Sequence, residues 1–217
     1  MLKINDIFQT IQGEATYAGT PSIFIRLQYC PVGCSWCDTK FTWHNGKDRH
    51  LVSQDDIINK KKESMKFANY TASELLNVCK KYLAKHIVIT GGEPCVYNLT
   101  EFSSLAIASG YSVQVETSGT FDINVHAKTW VTVSPKINMA GGYKVLDSSI
   151  ARADEIKYPI LKIQDINILQ TLNIQNKIVW LQPVMIDENI NLQLCLDACY
   201  KFGYKLSIQT HKYINQK

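Results

Sequence analysis

Three cysteines stand close together in Cys30-Pro-Val-Gly-Cys34-Ser-Trp-Cys37, and they constrain the fold more than any other feature of the sequence. Residues 22–28, directly before them, form a mostly apolar run that is typical of a short strand. The cysteines therefore lie on a loop at the end of a strand, where Gly33 allows a turn tight enough to gather three thiols. Any fold for this chain must present this loop where the thiolates can bind one inorganic centre.

Thiolates are soft ligands that suit iron–sulfur clusters or zinc. Three close cysteines would bind three irons of a four-iron cluster and leave the fourth iron open to a small molecule. Zinc is the alternative, and it would take His44 or another thiol as its fourth ligand. On the cysteines alone the iron–sulfur cluster is favoured over zinc, and both kinds of metal centre remain possible.

The composition is that of an ordinary soluble protein of 217 residues, with 46% apolar and 19% charged residues. The net charge of +4 is too small to indicate nucleic-acid binding without a concentrated basic patch. No apolar run approaches the roughly 20 residues that span a bilayer, and the first residues do not resemble a signal peptide. Seven cysteines without an export signal favour a reducing compartment. We therefore expect a cytoplasmic protein that binds neither membranes nor nucleic acid directly.

Strand and helix patterns alternate along the chain, which predicts an α/β fold with a mostly parallel sheet. The first predicted strand covers the start of 3–14, which ends in a turn. The other predicted strands cover 22–28, 86–90, 112–116, 130–133, 154–157, 177–181 and 205–209. Predicted helices cover 71–84, 99–109, 165–172 and 188–202, and Thr71-Ala-Ser-Glu74 at the start of the first is a capping box.

Unusual residues collect where the predicted strands end. In parallel α/β folds the carboxyl ends of the strands hold the active site, so we expect one site at one rim. The connecting helices are few and short, which predicts an incomplete TIM-type barrel, open on one side. We expect residues 1–217 to form a single domain, with a variable excursion or lid containing some helix at about 42–70. The strand-end clusters are 30–39, 90–94, 116–119, 134–136 and 182–185.

Two polar positions near the start of the chain are ambiguous. Arg26 interrupts an apolar strand and needs an anionic partner, which is either a substrate carboxylate or a buried Asp or Glu. Gly13 permits a ligand to approach the backbone closely. Glu14, beside it, is by its own pattern an ordinary exposed carboxylate.

The chain resembles the radical S-adenosylmethionine (SAM) enzymes and, within them, the 7-carboxy-7-deazaguanine synthase family of queuosine biosynthesis. The resemblance implies a radical SAM core in which a 5′-deoxyadenosyl radical starts the contraction of 6-carboxy-5,6,7,8-tetrahydropterin to 7-carboxy-7-deazaguanine, with loss of ammonia. Its most specific parts are Gln-Gly-Glu (12–14), Cys-Asp-Thr (37–39) and Gln-Thr-His-Lys (209–212). The other matching stretches are 8–11, 89–94, 115–120, 133–136 and 181–183.

The resemblance also implies the residues that bind metals and SAM. Cys30, Cys34 and Cys37 match the ligands of a [4Fe-4S] cluster, and Thr39 matches a Mg²⁺ ligand. The residues that match the SAM site are Trp36, Cys37, Asp38, Gly91, Gly92, Glu93, Ser134, Pro135, Lys136, Gln182, Pro183, Val184 and Met185.

For the substrate, the resemblance implies two groups of residues. Glu14 and Glu116 match catalytic positions, where they would accept hydrogen bonds from the pterin or assist proton transfers after the radical step. The residues that match the substrate site are Ile11, Gln12, Gly13, Arg26 and Thr90.

The resemblance also implies two kinds of partner. The electron donor would be flavodoxin or ferredoxin, and the enzyme would be a homodimer.

Two other functions compete with this interpretation. Another small radical SAM enzyme, such as a glycyl-radical activase, would share the cysteines and Gly-Gly-Glu-Pro but would not need Arg26 or Thr39. A zinc-stabilised protein without catalysis would need a fourth ligand and would have no use for five strand-end loops.

Overall fold

A computed structural model of the protein describes residues 1–45, 50–184 and 188–214. No helix within these ranges has both the length and the apolar character needed to cross a bilayer. The strands are β1 (Leu2–Ile11), β2 (Pro21–Leu27), β3 (Ala68–Tyr70), β4 (His86–Gly91), β5 (Ser112–Thr117), β6 (Trp130–Val133), β7 (Glu155–Ile160), β8 (Ile178–Pro183) and β9 (Lys205–Leu206). The helices are α1 (Ala72–Cys79), α2 (Thr100–Ala108), α3 (Asp147–Arg152), α4 (Ile163–Gln170), α5 (Glu188–Phe202) and α6 (Thr210–Tyr213).

The described strands form one mostly parallel sheet in the order β3-β1-β2-β4-β5-β6-β7-β8-β9. β1 runs antiparallel to β2 and β3, whereas each pairing from β2 to β9 is parallel. The connection from β5 to β6 has no helix, and the later crossovers each carry one helix. The strands β3 and β9 form the two edges of the described sheet and do not pair with each other, so the barrel stays open. The predicted incomplete barrel of parallel strands with few helices is confirmed.

The two faces of the sheet carry different side chains, because successive residues of a strand point to opposite sides. On the outer face, towards the helices, lie aliphatic side chains such as Ile87 and Ile89, which are both fully buried. On the inner face the alternate positions are polar, and the β2–β4 register sets Arg26 beside Thr90. Glu116 occupies the same face of β5. The alternation therefore directs the charged side chains of several strands into the interior of the open barrel.

A layer of buried polar side chains forms the floor of that interior. His86 Nε2 lies 3.1 Å from Gln114 Oε1, and Gln114 Nε2 donates to Thr132 Oγ1 at 2.9 Å. Thr132 Oγ1 in turn donates to Oε1 of the fully buried Glu155 at 2.7 Å, and Trp180 Nε1 donates to Glu155 Oε2 at 2.9 Å. Polar networks whose members are paired are rigid in a low-dielectric interior. The residues one step further along each strand stand on this layer.

The predicted capping box at the start of α1 is present. Glu74 N–H donates to Thr71 Oγ1 at 3.2 Å, and Thr71 N–H donates to Glu74 Oε2 at 2.8 Å. The predicted end near residue 84 is wrong, since the helix ends at Cys79. The N–H groups of 83–84 donate instead to the side-chain oxygen of Gln9, which pulls the chain out of the helix towards β4.

The segment 42–70 lies against β1. Ile57 is fully buried in a 3-10 turn, and Asn59 N–H donates to the Ile7 carbonyl at 2.8 Å. The segment ends as β3, which pairs with the start of β1 and was not predicted. Residues 46–49 lie outside the described ranges, and the rest of the segment contains 3-10 turns in place of the expected helix.

The end of the chain also differs from the prediction, because the strand expected over 205–209 is only two residues long. Ser207 Oγ accepts a hydrogen bond from the Ala15 N–H at 3.0 Å, and Gln209 Nε2 donates to Glu14 Oε1 at 2.8 Å. The chain leaves the sheet edge to cover the loop after β1.

We expect Thr71→Ala to lower the free energy of unfolding by about 1 kcal/mol, because the variant loses the capping hydroxyl of α1. Urea denaturation of the purified protein measures this change. Thr71→Ser keeps the hydroxyl and serves as the control with unchanged stability. Equal stability of the alanine variant and the native protein would contradict a structural role for the cap.

Candidate active site

A cavity of about 480 Å³ opens at the carboxyl ends of the parallel strands, within the size range of small-molecule sites. Among the described residues that match the cluster, Mg²⁺, SAM or substrate sites, all line this cavity except Gly13 and Pro135. Met185 lies outside the described residues. The structure therefore brings the five strand-end clusters to one enclosure.

The cysteine loop presents all three thiols to the cavity. Cys37 N–H donates to the Cys34 carbonyl at 3.0 Å, which closes a tight turn between these two cysteines. A neighbouring loop supports the turn near Cys30: a Cβ at Gly141 would lie only 2.0 Å from the Pro31 carbonyl oxygen, so only glycine fits there. The spacing of the thiols is thus set by backbone contacts from two loops.

Two of the three thiols, those of Cys30 and Cys34, are poor nucleophiles without a metal. Burial raises the pKa of Cys30 to about 12, and it also raises the pKa of Cys34, although the nearby Lys136 cation partly offsets the second shift. Thiols in this condition are protonated at neutral pH and release their protons when a metal binds.

The donor set fits a four-iron cluster better than zinc. Among the described residues, no three His, Cys, Asp or Glu side chains are grouped to hold a single metal ion. His44, the candidate fourth zinc ligand, is exposed and does not line the cavity. Zinc needs four donors converging on one point, whereas a four-iron cluster binds each thiolate through a different iron and tolerates wider spacing.

The glycines of Gly-Gly-Glu-Pro are required by the protein's own backbone. Gly91 has φ +132°, and a Cβ there would lie 2.2 Å from the Leu27 nitrogen. A Cβ at Gly92 would lie 2.1 Å from the Tyr29 carbonyl oxygen. The loop after β4 therefore rests directly on the start of the cysteine loop, and glycine is needed there even before any ligand is considered.

Glu93 is buried inside the same loop, with 1% of its surface exposed. Its carboxylate accepts hydrogen bonds from Cys95 N–H at 2.9 Å, Thr117 Oγ1 at 2.6 Å and Ser118 N–H at 2.8 Å. Glu93 thus ties the loop after β4 to the end of β5.

Lys136 lies between the cysteine loop and the end of β6. Its Nζ is 5.3 Å from the centroid of the Trp36 ring and donates to the Ser134 carbonyl at 2.8 Å and to Ser134 Oγ. Burial lowers the pKa of Lys136, and the cation lies near Cys34.

Arg26 projects from β2 into the cavity. Among the described residues, no carboxylate lies within ion-pair distance of its guanidinium. The Cζ atom of Arg26 lies 5.8 Å from the centroid of the Phe8 ring. A half-buried cation of this kind retains its five donors for a ligand. The alternative of a buried Asp or Glu partner for Arg26 is not supported.

Glu14, Lys157 and Glu116 form an ion cluster at the other side of the cavity. Lys157 Nζ donates to Glu116 Oε2 at 2.7 Å and is paired equally directly with Glu14 Oε2. The side chains of the two glutamates are only 12% and 16% exposed, and that of the lysine is 7% exposed. Glu14 is therefore not the exposed loop carboxylate that its sequence pattern favours.

The ion cluster shifts the titration of its members. Burial alone would raise the pKa of Glu14, but attraction to Lys157 and hydrogen bonds from Lys157 and Gln209 lower it to about 2. Burial likewise opposes the charged lysine, and the two glutamates reverse this effect and raise the pKa of Lys157. Since the folded pKa of Glu14 lies below its ordinary value, the cluster stabilises the fold at neutral pH, and that contribution falls as the pH drops towards 2.

Gln12 connects the ion cluster to the polar floor. Its Nε2 donates to Glu116 Oε1 at 2.9 Å and to Gln114 Oε1 at 3.3 Å, and its own Oε1 accepts from the Glu14 N–H at 3.2 Å. The Gln12 side chain is occupied by the protein, and its backbone is paired as well, because its N–H donates to the Thr20 carbonyl at 2.9 Å and its carbonyl accepts from the Gly19 N–H at 2.8 Å.

The carboxyl-terminal segment closes over the loop after β1. Thr210 N–H donates to the Gly13 carbonyl at 3.1 Å, and a Cβ at Gly13 would lie 2.4 Å from His211 Nδ1. The close approach that requires glycine at this position comes from His211. Gln209, His211 and Lys212 line the cavity as well.

Sequence reasoning missed Lys157 and gave no role to 209–212. The two-residue alternation of β7 could have found Lys157, because it follows Glu155 on the polar face. The run Gln-Thr-His-Lys was noted only as part of a family pattern. Its position over Gly13 depends on a contact between opposite ends of the chain.

Known proteins resemble this chain over almost its full length. The family model of a 4Fe-4S single cluster domain matches residues 12–122. The curated 7-carboxy-7-deazaguanine synthase of Escherichia coli (strain K12) is 46% identical, over 98% of this chain and 97% of its own. The protein of that name from Buchnera aphidicola is 48% identical over 97% of each chain. The crystal structure of QueE from Escherichia coli superposes with a TM-score of 0.91 at 45% identity, and covers 96% of this chain and 93% of that one.

We expect Glu93→Ala to lower the free energy of unfolding by about 3 kcal/mol, because two backbone N–H groups and a hydroxyl lose their buried acceptor. Urea denaturation of the metal-free protein measures the loss. Glu101→Ala, in the exposed first turn of α2, is the matched control and should change stability by less than about 0.5 kcal/mol. Similar small losses in both variants would remove the anchoring role of Glu93.

Proposed function

Because this chain belongs to the 7-carboxy-7-deazaguanine synthase family of radical SAM lyases, we propose that it converts 6-carboxy-5,6,7,8-tetrahydropterin to 7-carboxy-7-deazaguanine with loss of ammonia. One observation carries the proposal: the three thiols of the cysteine loop and the unpaired guanidinium of Arg26 line the same cavity. This combination suits a reaction in which radical chemistry at a cluster acts on a carboxylated substrate.

In this proposal Cys30, Cys34 and Cys37 would bind three irons of a [4Fe-4S] cluster. When bound, the cluster and SAM supply the radical chemistry that removes a hydrogen atom from the substrate. Lys136 provides a positive charge beside Cys34, which favours the thiolate form that binds iron. Glu93 contributes by holding the Gly-Gly-Glu-Pro loop in place.

SAM would bind between the loops after β4, β6 and β8. The backbone of 91–92 and the side chains of Ser134 and Lys136 line the cavity on one side, and 182–184 line it on another. Gln182 supports this assignment, because its Oε1 is buried without a hydrogen-bond partner among the described residues. A buried amide oxygen of this kind gains by accepting a hydrogen bond from a ligand.

Thr39 is the proposed Mg²⁺ ligand. Its hydroxyl lies 3.5 Å from Cys37 Sγ and its side chain lines the cavity, so it is placed between the cluster ligands and the interior. Mg²⁺ commonly takes few protein ligands and completes its octahedron with waters and substrate oxygens.

Arg26 would bind the substrate carboxylate, with Thr90 next to it across the β2–β4 pairing. The backbone of 11–13 would contact the edge of the ring through groups other than the Gln12 N–H and carbonyl, which pair with Thr20 and Gly19. Glu14 and Glu116 face the ring from the other side of the cavity.

The broader setting is proposed from the family pattern. Residues 1–217 would act as one domain in a cytoplasmic homodimer, with flavodoxin or ferredoxin as electron donor. All seven cysteines are free thiols in the structure, which suits a reducing compartment.

The test is one anaerobic reaction of the reconstituted protein with SAM, Mg²⁺, a strong reductant and 6-carboxy-5,6,7,8-tetrahydropterin. We expect a product with the mass of 7-carboxy-7-deazaguanine. Formation of 5′-deoxyadenosine without that product would retain radical SAM chemistry and reject the proposed substrate.

We expect Arg26→Ala to weaken binding of the carboxylated substrate by about 1.5–3 kcal/mol, which is roughly tenfold to a hundredfold, because a charge-assisted pair is lost. The Michaelis constant of the reaction measures this effect. Release of 5′-deoxyadenosine without substrate should be unchanged.

Arg152→Ala is the matched control, since Arg152 pairs with Asp154 on the protein and does not line the cavity. Its substrate affinity should equal that of the native enzyme. If Arg26→Ala also kept native affinity, the carboxylate would have to bind elsewhere and Arg26 would be structural.

A further inference from the structure

The ion cluster of Glu14, Lys157 and Glu116 includes a lysine that the proposed reaction does not use. We propose that Lys157 is a positioning residue that holds both glutamates ionised and side by side, so that this end of the cavity accepts hydrogen bonds from substrate N–H groups and neither glutamate serves as a general acid at neutral pH. The inference rests on the proposed function, and it defines the chemistry of the substrate edge that faces the cluster.

The geometry of the cluster leaves the lysine little freedom. Its ammonium donates to Glu116 Oε2 at 2.7 Å and to Glu14 Oε2, and its side chain is 7% exposed. An ammonium has three donors, and the two carboxylates use two of them. Lys157 thus bridges two elements that are far apart in sequence, the loop after β1 and strand β5.

Without the lysine, two largely buried carboxylates that share one ammonium would not both stay ionised. Like charges that share a site raise each other's affinity for protons, so one of the pair takes up a proton. Two carboxylates and one ammonium leave a single negative charge in the cluster. The lowered pKa of Glu14, about 2, agrees with this charge balance.

The cationic groups on neighbouring elements favour the same ionisation. Lys136, after β6, faces Lys157, and His211, on α6, faces Glu14. Arg26 on β2 lines the same cavity, and Lys212 lines it while donating to Gln209 Oε1 at 2.6 Å. A cation favours an ionised carboxylate, whereas Asp38 and Glu93 in the same cavity and Glu155 in its floor oppose ionisation, and the direct hydrogen bonds from Lys157 outweigh them.

The remaining polar atoms at this end are mostly acceptors. Glu14 Oε1 receives the amides of Gln209 at 2.8 Å and Gln182 at 3.4 Å, and Glu116 Oε1 receives Gln12 at 2.9 Å. Each carboxylate oxygen can accept more than one hydrogen bond, so the two glutamates retain acceptor capacity for a ligand. The array therefore complements a ring edge that carries neighbouring N–H donors.

The position of the cluster fits a substrate that carries a carboxylate at one end and N–H donors at the other. Arg26 lies on β2 and Glu116 on β5, two steps along the order β2-β4-β5, which is about 10 Å at the usual strand spacing. A two-ring heterocycle with one carboxylate can reach both. Its carboxylate would contact Arg26 and its N–H edge would contact the glutamates.

The first test is an infrared titration of the reconstituted native enzyme between pH 8 and pH 5. Difference spectra against Glu14→Gln and Glu116→Gln assign the two carboxyl bands. We expect no protonated carboxyl from either glutamate in this range. A protonated band assigned to either glutamate would overturn the proposal, and this test does not depend on how any lysine variant folds.

The second test compares Lys157→Met, Lys157→Arg and the native enzyme in binding 6-carboxypterin, followed by its fluorescence from pH 5 to pH 7, below the pH at which the pterin ring itself loses a proton. We expect native affinity to change less than twofold across the range. Lys157→Met should bind at least tenfold more weakly than the native enzyme at pH 5 and recover as the pH rises towards 7, because one glutamate is protonated at low pH and ionises again. Lys157→Arg should restore the flat profile.

Lys177→Met is the matched control, since the Lys177 ammonium binds the Ala151 and Ala153 carbonyls at 2.8 and 2.6 Å and lies outside the cavity. Its binding profile should be native. An equal loss of affinity at every pH in Lys157→Met would make Lys157 merely structural. If native enzyme did not bind 6-carboxypterin, the proposed substrate would fail while the infrared titration still decided the role of Lys157.

Discussion

The site depends on the two-residue alternation of side chains along parallel strands. Because the outer positions of β2, β4, β5 and β6 are aliphatic and buried under helices, the inner positions are free to be polar. A first inner row, with Gln114, Thr132 and Glu155, is satisfied within itself and forms a rigid floor. The next row carries Glu116 and Lys157. A shift of one residue in any strand would turn its charged side chain into the aliphatic layer, so the packing of the core also fixes the site.

Charge compensation accounts for the composition of the cavity. Lys157 neutralises one of two buried glutamates, and Glu93 is stabilised by donors from its own and neighbouring loops. Arg26 has no carboxylate within ion-pair distance and no hydrogen-bond acceptor among the described residues, and a ligand carboxylate would supply both. A buried charge is costly unless it is paired or hydrogen-bonded, so the one that stays open is informative about the ligand.

Sequence patterns predicted what is local or periodic. The cysteine loop, the capping box at Thr71 and the parallel strands follow from spacing and alternation within short stretches, and the open barrel follows from the small number of helices. Contacts between distant parts of the chain could not be predicted in this way. Lys157 donates to Glu14 from 143 positions away in the sequence, and Gln209 donates to Glu14 from 195 positions away. Such contacts also explain the misplaced end of α1. Gln9 draws the following residues away from the helix, and no pattern within 71–84 reveals that contact.

The central claim is that three thiols at this rim hold a four-iron cluster with one iron open to SAM. Electron paramagnetic resonance of the reduced, reconstituted protein, recorded with and without SAM, tests it most directly. We predict the signal of a reduced [4Fe-4S] cluster whose shape changes when SAM is added, and the loss of that signal in Cys34→Ala. A cluster signal that SAM leaves unchanged, or a full SAM-responsive signal in Cys34→Ala, would contradict the account.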